Sequence, residues 1–110
     1  MNNQDLEYLQ QSIHAFKHCI LSDVENTGCV KRDFQISFKE IATHTGRAKI
    51  SPDLVGHYLK FLENEGMQAE FDVDSRFIIS VDLDTMLLHP NEALALANGL
   101  NCHQLKQHQV

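Results

Sequence analysis

The chain has 110 residues, 43% apolar and 22% charged, which suits one globular domain with little apolar surface to spare. Its net charge of −6 weighs against nucleic-acid binding on composition alone. No apolar run approaches the roughly 18 residues that span a bilayer, and Met1-Asn2-Asn3-Gln4-Asp5 lacks the basic-then-apolar order of a secretory signal, so a cytoplasmic location is expected.

Leu6, Leu9, Ile13, Phe16 and Ile20 recur at steps of three and four, which predicts a first helix over residues 5–24 with Gln10, Gln11, Lys17 and Asp23 on its other faces. Glu25-Asn26-Thr27-Gly28 reads as a turn. Val30 to Ile36 alternates Phe34 and Ile36 with Asp33 and Gln35, a short strand. Ser37-Phe38-Lys39-Glu40 has the spacing of a capping box, Ser37 accepting from the first turn and Glu40 reaching back. A helix then buries Phe38, Ile41 and Ala42 and stops at Gly46.

Ser51-Pro52-Asp53 marks the next helix start: a cap, a proline suited to the first position and an acid for the positive helix end. Val55, Tyr58, Leu59 and Leu62 form its apolar stripe, and Asn64-Glu65-Gly66 ends it. Met67, Ala69, Phe71 and Val73 alternate with polar residues, Asp74-Ser75 turns, and Arg76 to Val81 is rich in strand formers, so residues 67–81 predict a hairpin. Pro90-Asn91-Glu92 opens a last helix over 91–108, carrying Leu94, Ala97 and Leu100, with Gly99 as an interruption and a polar tail expected to fray from Cys102. The expected fold class is α+β and mostly helical, one domain over 1–110.

Ile36-Ser37-Phe38-Lys39-Glu40-Ile41-Ala42-Thr43-His44-Thr45-Gly46 resembles the second helix of many bacterial winged helix-turn-helix regulators. The run from Ile50 through Ser51, Val55, Leu59 and Leu62 to Glu63-Asn64-Glu65-Gly66-Met67 resembles their recognition helix. The pattern is the generic one of MarR-like and ArsR-like proteins and singles out no family within the superfamily. The resemblance implies a helix-turn-helix over 37–66, a wing over 67–81, and double-stranded DNA as partner, with a role in transcription regulation. Carried onto this chain, the DNA-facing positions are Ser51, Asp53, Gly56, His57 and Lys60 of the recognition helix, Arg47 and Lys49 before it, and Lys39 and Arg76 as further phosphate contacts. Two features depart from the related proteins. Arg47-Ala48-Lys49 lengthens the turn and makes it basic, and the hairpin sets Glu70, Asp72 and Asp74 against Arg76 alone.

The charge distribution follows this division. Residues 31–60 are net +3, whereas residues 1–30 are net −3 and residues 61–110 net −6. A small module binding DNA is expected to work as a homodimer, and the candidate faces are Leu6, Leu9 and Ile13 of the first helix and Leu94, Leu96 and Leu100 of the last. These leucines serve equally well to complete the monomer core. The alternative function is a winged-helix interaction module that does not touch DNA, its acidic surface facing a basic protein partner.

Other chemistry finds no support. Cys19, Cys29 and Cys102 are odd in number and form no C-x-x-C pair, which argues for free thiols and against a disulfide framework. His18-Cys19 and Cys102-His103 could converge on zinc only if the terminal helices pack together, and no ligand spacing supports it, so no metal or other cofactor is expected. Asp82 and Asp84 lack a third ligand or a phosphate loop, and the chain contains no nucleophile motif, so no catalysis is expected.

Overall fold

The computed structural model describes residues 1–72 and 75–107, which form four helices and one three-stranded antiparallel sheet. Val73 and Asp74 of the expected hairpin and His108 at the expected end of the last helix lie outside the described residues.

Helix α1 spans Asn3–Thr27, longer at both ends than the apolar stripe alone implies. Its start is set by Asn2 and Asp5, which cap each other reciprocally: Asp5 N–H donates to Asn2 Oδ1 at 2.9 Å and Asn2 N–H donates to Asp5 Oδ2 at 2.8 Å. Its end is set by Gly28, whose φ of 67° lets its amide turn back to the Val24 carbonyl.

Strand β1 (Lys31–Ser37) runs into helix α2 (Phe38–His44), and residues 45–51 connect this to helix α3 (Pro52–Asn64). Both expected caps form. Ser37 accepts from Glu40 N–H at 3.0 Å, and Ser51 accepts from Leu54 N–H at 3.2 Å. The reciprocal bond expected from Glu40 does not; only the serine half of that box is present. Strands β2 (Gln68–Asp72) and β3 (Arg76–Asp82) pair antiparallel, with Asp72 opposite Arg76, and β1 pairs with the other side of β3. The sheet order is therefore β1-β3-β2. Phe77, Ile79 and Val81 face the core from the central strand.

Helix α4 (Pro90–Gln107) runs unbroken through Gly99, contrary to the expected interruption. Gly99 is a packing device here. A Cβ at this position would lie 2.3 Å from Val24 Cγ1, so only glycine lets α4 lie this close to α1. The two helices run in the same direction, with Glu92 beside Lys17, Gly99 beside Val24 and Lys106 beside Glu25.

The core draws Leu9, Ile13, Ile20 and Val24 from α1, Ile36 from β1, Ile41 from α2, Val55, Tyr58 and Leu62 from α3, the three β3 residues, and Leu96 from α4. Three of the leucine and isoleucine positions offered for a dimer are thus buried within the single chain. Leu9, Ile13 and Leu96 are core residues, Leu6 and Leu100 are half-buried, and only Leu94 stands out, 63% exposed. Lys17 also departs from its expected place on an outer face. It is buried, and its Nζ donates to Glu92 Oε1 at 3.3 Å. Glu92 in turn accepts from His89 N–H at 2.9 Å, which caps α4. Burial would push the Glu92 carboxyl up, but the His89 amide and the Lys17 charge hold it below its ordinary value.

Candidate nucleic-acid interface

Helix α3 offers one unburied face. Leu54, Val55, Tyr58 and Leu62 point into the protein, which leaves Asp53, Gly56, His57, Lys60 and Asn64 outward along the opposite stripe. Ser51 sits at the exposed start of this face, its hydroxyl engaged as the cap. Gly56 has open space around it: an added Cβ would meet nothing within 4 Å. A helix-interior glycine costs roughly 0.5–1 kcal/mol relative to alanine, and nothing inside this chain requires one at position 56.

Lys39 on α2 and Lys49 in the connection are exposed on the same side of the chain as the α3 start, on the rim of one shared groove. Among the described residues Lys39, Lys49 and Lys60 make no ion pair. The two arginines expected beside them are committed elsewhere. Arg76 Nε bonds Asp72 Oδ2 at 3.1 Å and its Nη1 bonds Gln35 Oε1 at 3.1 Å, so the acid on β2 neutralises the hairpin's base.

Arg47 is held by Asp5, and this is the largest departure from the sequence reading. Its two terminal nitrogens grip both carboxylate oxygens, Nη2 to Oδ2 at 2.8 Å and Nη1 to Oδ1. Tyr58 Oη donates to the same Oδ1 at 2.7 Å. Asp5 is 0% exposed and so joins three elements at once: the cap of α1, the connection before α3, and the buried face of α3. Burial would raise this carboxyl, but bonds from Arg47, the Asn2 amide and Tyr58 outweigh it and hold it at about 2. The Tyr58 phenol is pushed up by burial and by its bond to Asp5, so it stays protonated and donating. The inserted Arg47-Ala48-Lys49 turn therefore splits in function. Arg47 anchors the turn to α1 and Lys49 projects from it.

No protein-family model, curated protein or solved structure matches the chain.

Sequence reasoning missed Asp5 and Tyr58 as a pair with Arg47, because nothing local relates residues 42 and 53 positions apart. The Asn2-x-x-Asp5 spacing was a readable cap signal. It also missed Phe71. Alternation along 67–73 places this ring inward, yet it is 43% exposed beside the groove, packed edge-on against Phe77 at 6.4 Å. The groove has a volume of about 700 Å3 and lies between α2, the connection, the α3 start and β2.

Among the described residues the cysteines and histidines do not assemble into a ligand cluster. Cys19 Sγ accepts from Arg32 Nη1 at 2.9 Å, and His103 Nδ1 lies 3.1 Å from the Glu25 carbonyl. Although the terminal helices do pack together, among the described residues no three metal-ligating side chains converge. Among the same residues no helix is long and apolar enough to cross a membrane.

Proposed function

We propose that the chain is a small winged-helix DNA-binding protein acting as a transcription regulator. The observation that carries this reading is the combination of element order with sheet order. A helix, an edge strand, two helices joined by a turn and a hairpin, with the first strand closing on the last as β1-β3-β2, is the arrangement in which winged-helix proteins present their third helix to a major groove. Here α3 presents Asp53, Gly56, His57 and Lys60 on its free face, and Gly56 leaves a side-chain-free position in it that a groove wall could approach. Lys39, Lys49 and Lys60 supply the phosphate contacts. Arg47 contributes by fixing the turn that carries Lys49, and Arg76 by ordering the hairpin.

The test is a salt series. A labelled duplex is titrated by fluorescence anisotropy from low to physiological salt, with Lys49→Ala and Lys60→Ala compared against Lys31→Ala at the far end of β1. Each lost phosphate contact flattens the slope of log K against log salt by about 0.9. The Lys49 and Lys60 variants are expected to do so and the Lys31 variant is not. Duplex binding that is absent at low salt, or equally indifferent to all three changes, removes the reading.

A second reading is favoured by the two neutralised arginines. With Arg47 engaged by Asp5 and Arg76 by Asp72, the exposed acids Glu63 and Glu70 are left uncompensated by either arginine, which suits a basic protein partner in place of DNA. Amide shifts at these acids on titration with a lysine-rich peptide, in a protein that binds no duplex, select it. A homodimer under either reading would meet through Leu94, with Leu105 eleven residues further on the same α4 stripe. Leu94→Glu then abolishes self-association in sedimentation velocity without lowering stability.

A further inference from the structure

The groove beside the α3 start has the make-up of a ligand site. Its volume of about 700 Å3 falls within the range of small-molecule pockets, which are mostly apolar with a few placed polar groups. Phe38 and Ala42 of α2, Ile50 of the connection, Val55 of α3 and Phe71 of β2 supply apolar walls. Phe71 is a large ring left 43% in water, although fully burying such a side chain is favourable by roughly 1.5–3 kcal/mol.

The rim decides the ligand's charge. Lys39 and Lys49 both line the groove and, among the described residues, neither has an ion-pair partner and no acid lines the groove with them. Arg47 lines it too, with two bonds given to Asp5 out of a guanidinium's five N–H groups. Such a site complements one anionic head on an apolar body. The walls come from α2, the connection, α3 and β2, so a flexible ligand reaches more of them than a single planar ring does. An alkyl chain can follow them.

We propose that this groove binds an alkyl carboxylate of fatty-acid type, its head on Lys39 and Lys49 and its chain covered by Phe71. Lys39 and Lys49 are also the phosphate contacts proposed above, so a bound carboxylate and a duplex exclude one another. That consequence rests on the DNA reading, whereas the ligand site does not.

The test uses octanoate against octan-1-ol, its neutral counterpart, with the whole chain followed by two-dimensional amide NMR in the absence of DNA. Octanoate is expected to shift amides within residues 38–55 and at Phe71. The alcohol, and octanoate with the Lys39→Gln/Lys49→Gln variant, are expected to bind at least about ten-fold more weakly, because each loses both charge-assisted contacts to the head. Thr43→Trp fills the groove from an exposed position and is expected to abolish binding, and Phe71→Ser weakens it by removing one wall. Retained amide dispersion in each variant establishes that it is folded. Equal binding of acid and alcohol, shifts centred elsewhere, indifference to both Thr43→Trp and Phe71→Ser, or no shift at millimolar octanoate overturns the assignment. Displacement of duplex by octanoate is then measured separately. Octanoate binding in a protein that takes no duplex leaves the site standing and ends only the DNA reading, while octanoate and duplex bound together end the exclusion.

Discussion

Removing Arg47 should destabilise the protein far more than removing an exposed arginine would. Asp5 is completely buried, and Arg47 supplies two of the bonds that keep it charged. The depression of its carboxyl from 3.8 to about 2 corresponds to roughly 2 kcal/mol of folding stability at neutral pH. Breaking a buried pair from one side costs about 3–5 kcal/mol. Arg47 keeps 26% of its side chain in water, so Arg47→Ala is expected at or just below the lower end of that range, about 2–3 kcal/mol. For a chain of this size that lowers the melting temperature by about 10–15 °C. Urea unfolding followed by circular dichroism reads the free energy directly. The acid limb gives an independent check. Because the folded carboxyl titrates below the unfolded one, its contribution is complete above about pH 4 and is lost as pH falls toward 2. Asp5→Asn keeps one acceptor oxygen, enough for either Asn2 or Tyr58, but has no proton to gain, so its stability should fall less steeply than the native chain's across that window. Glu92 titrates in both proteins and cancels in the comparison. An Arg47→Ala cost under about 0.5 kcal/mol, the value of an exposed pair, or parallel acid limbs for Asp5→Asn and the native chain, would refute this account of the network.

Three further outcomes are expected. Gly56→Ala should stabilise the protein by about 0.5–1 kcal/mol, since α3 has room for the methyl, whereas Gly99→Ala should destabilise it by about 1–3 kcal/mol through the collision with Val24, both read by urea unfolding. If the α3 face meets a partner closely, the same Gly56→Ala protein binds that partner less well, a split between stability and affinity that anisotropy resolves. Lys17→Met alone strands the Glu92 carboxylate and should cost about 3 kcal/mol, while Lys17→Met with Glu92→Met should recover most of the loss in a double-mutant cycle. Tyr58→Phe should cost about 1.5–3 kcal/mol and raise the Asp5 carboxyl, seen by NMR titration, because it deletes one of the bonds holding the charge.

What the sequence determined by itself was most of what acts over three or four residues, the missing Glu40 bond and the exposed Phe71 being the exceptions. The Ser37 and Ser51 caps, the stripe through Val55, Tyr58 and Leu62 and the alternation of Phe77, Ile79 and Val81 are local statements, and each appears in the structure where its spacing puts it. The outward face of α3 follows from the same stripe. What the tertiary structure alone decided were the partners of charged groups and the meaning of the glycines. Lys17 looks solvated until α4 brings Glu92 to it from 75 residues away, and Gly99 looks like a helix breaker until Val24 occupies the space its side chain would need. Arg47 is the clearest case. Read along the chain it is one more base in a basic turn, but folding places a buried carboxylate 42 residues distant against it and spends its charge inside the protein. A charge's surroundings are set by whatever packs around it in space, and in this fold that neighbour arrives from the far end of another helix.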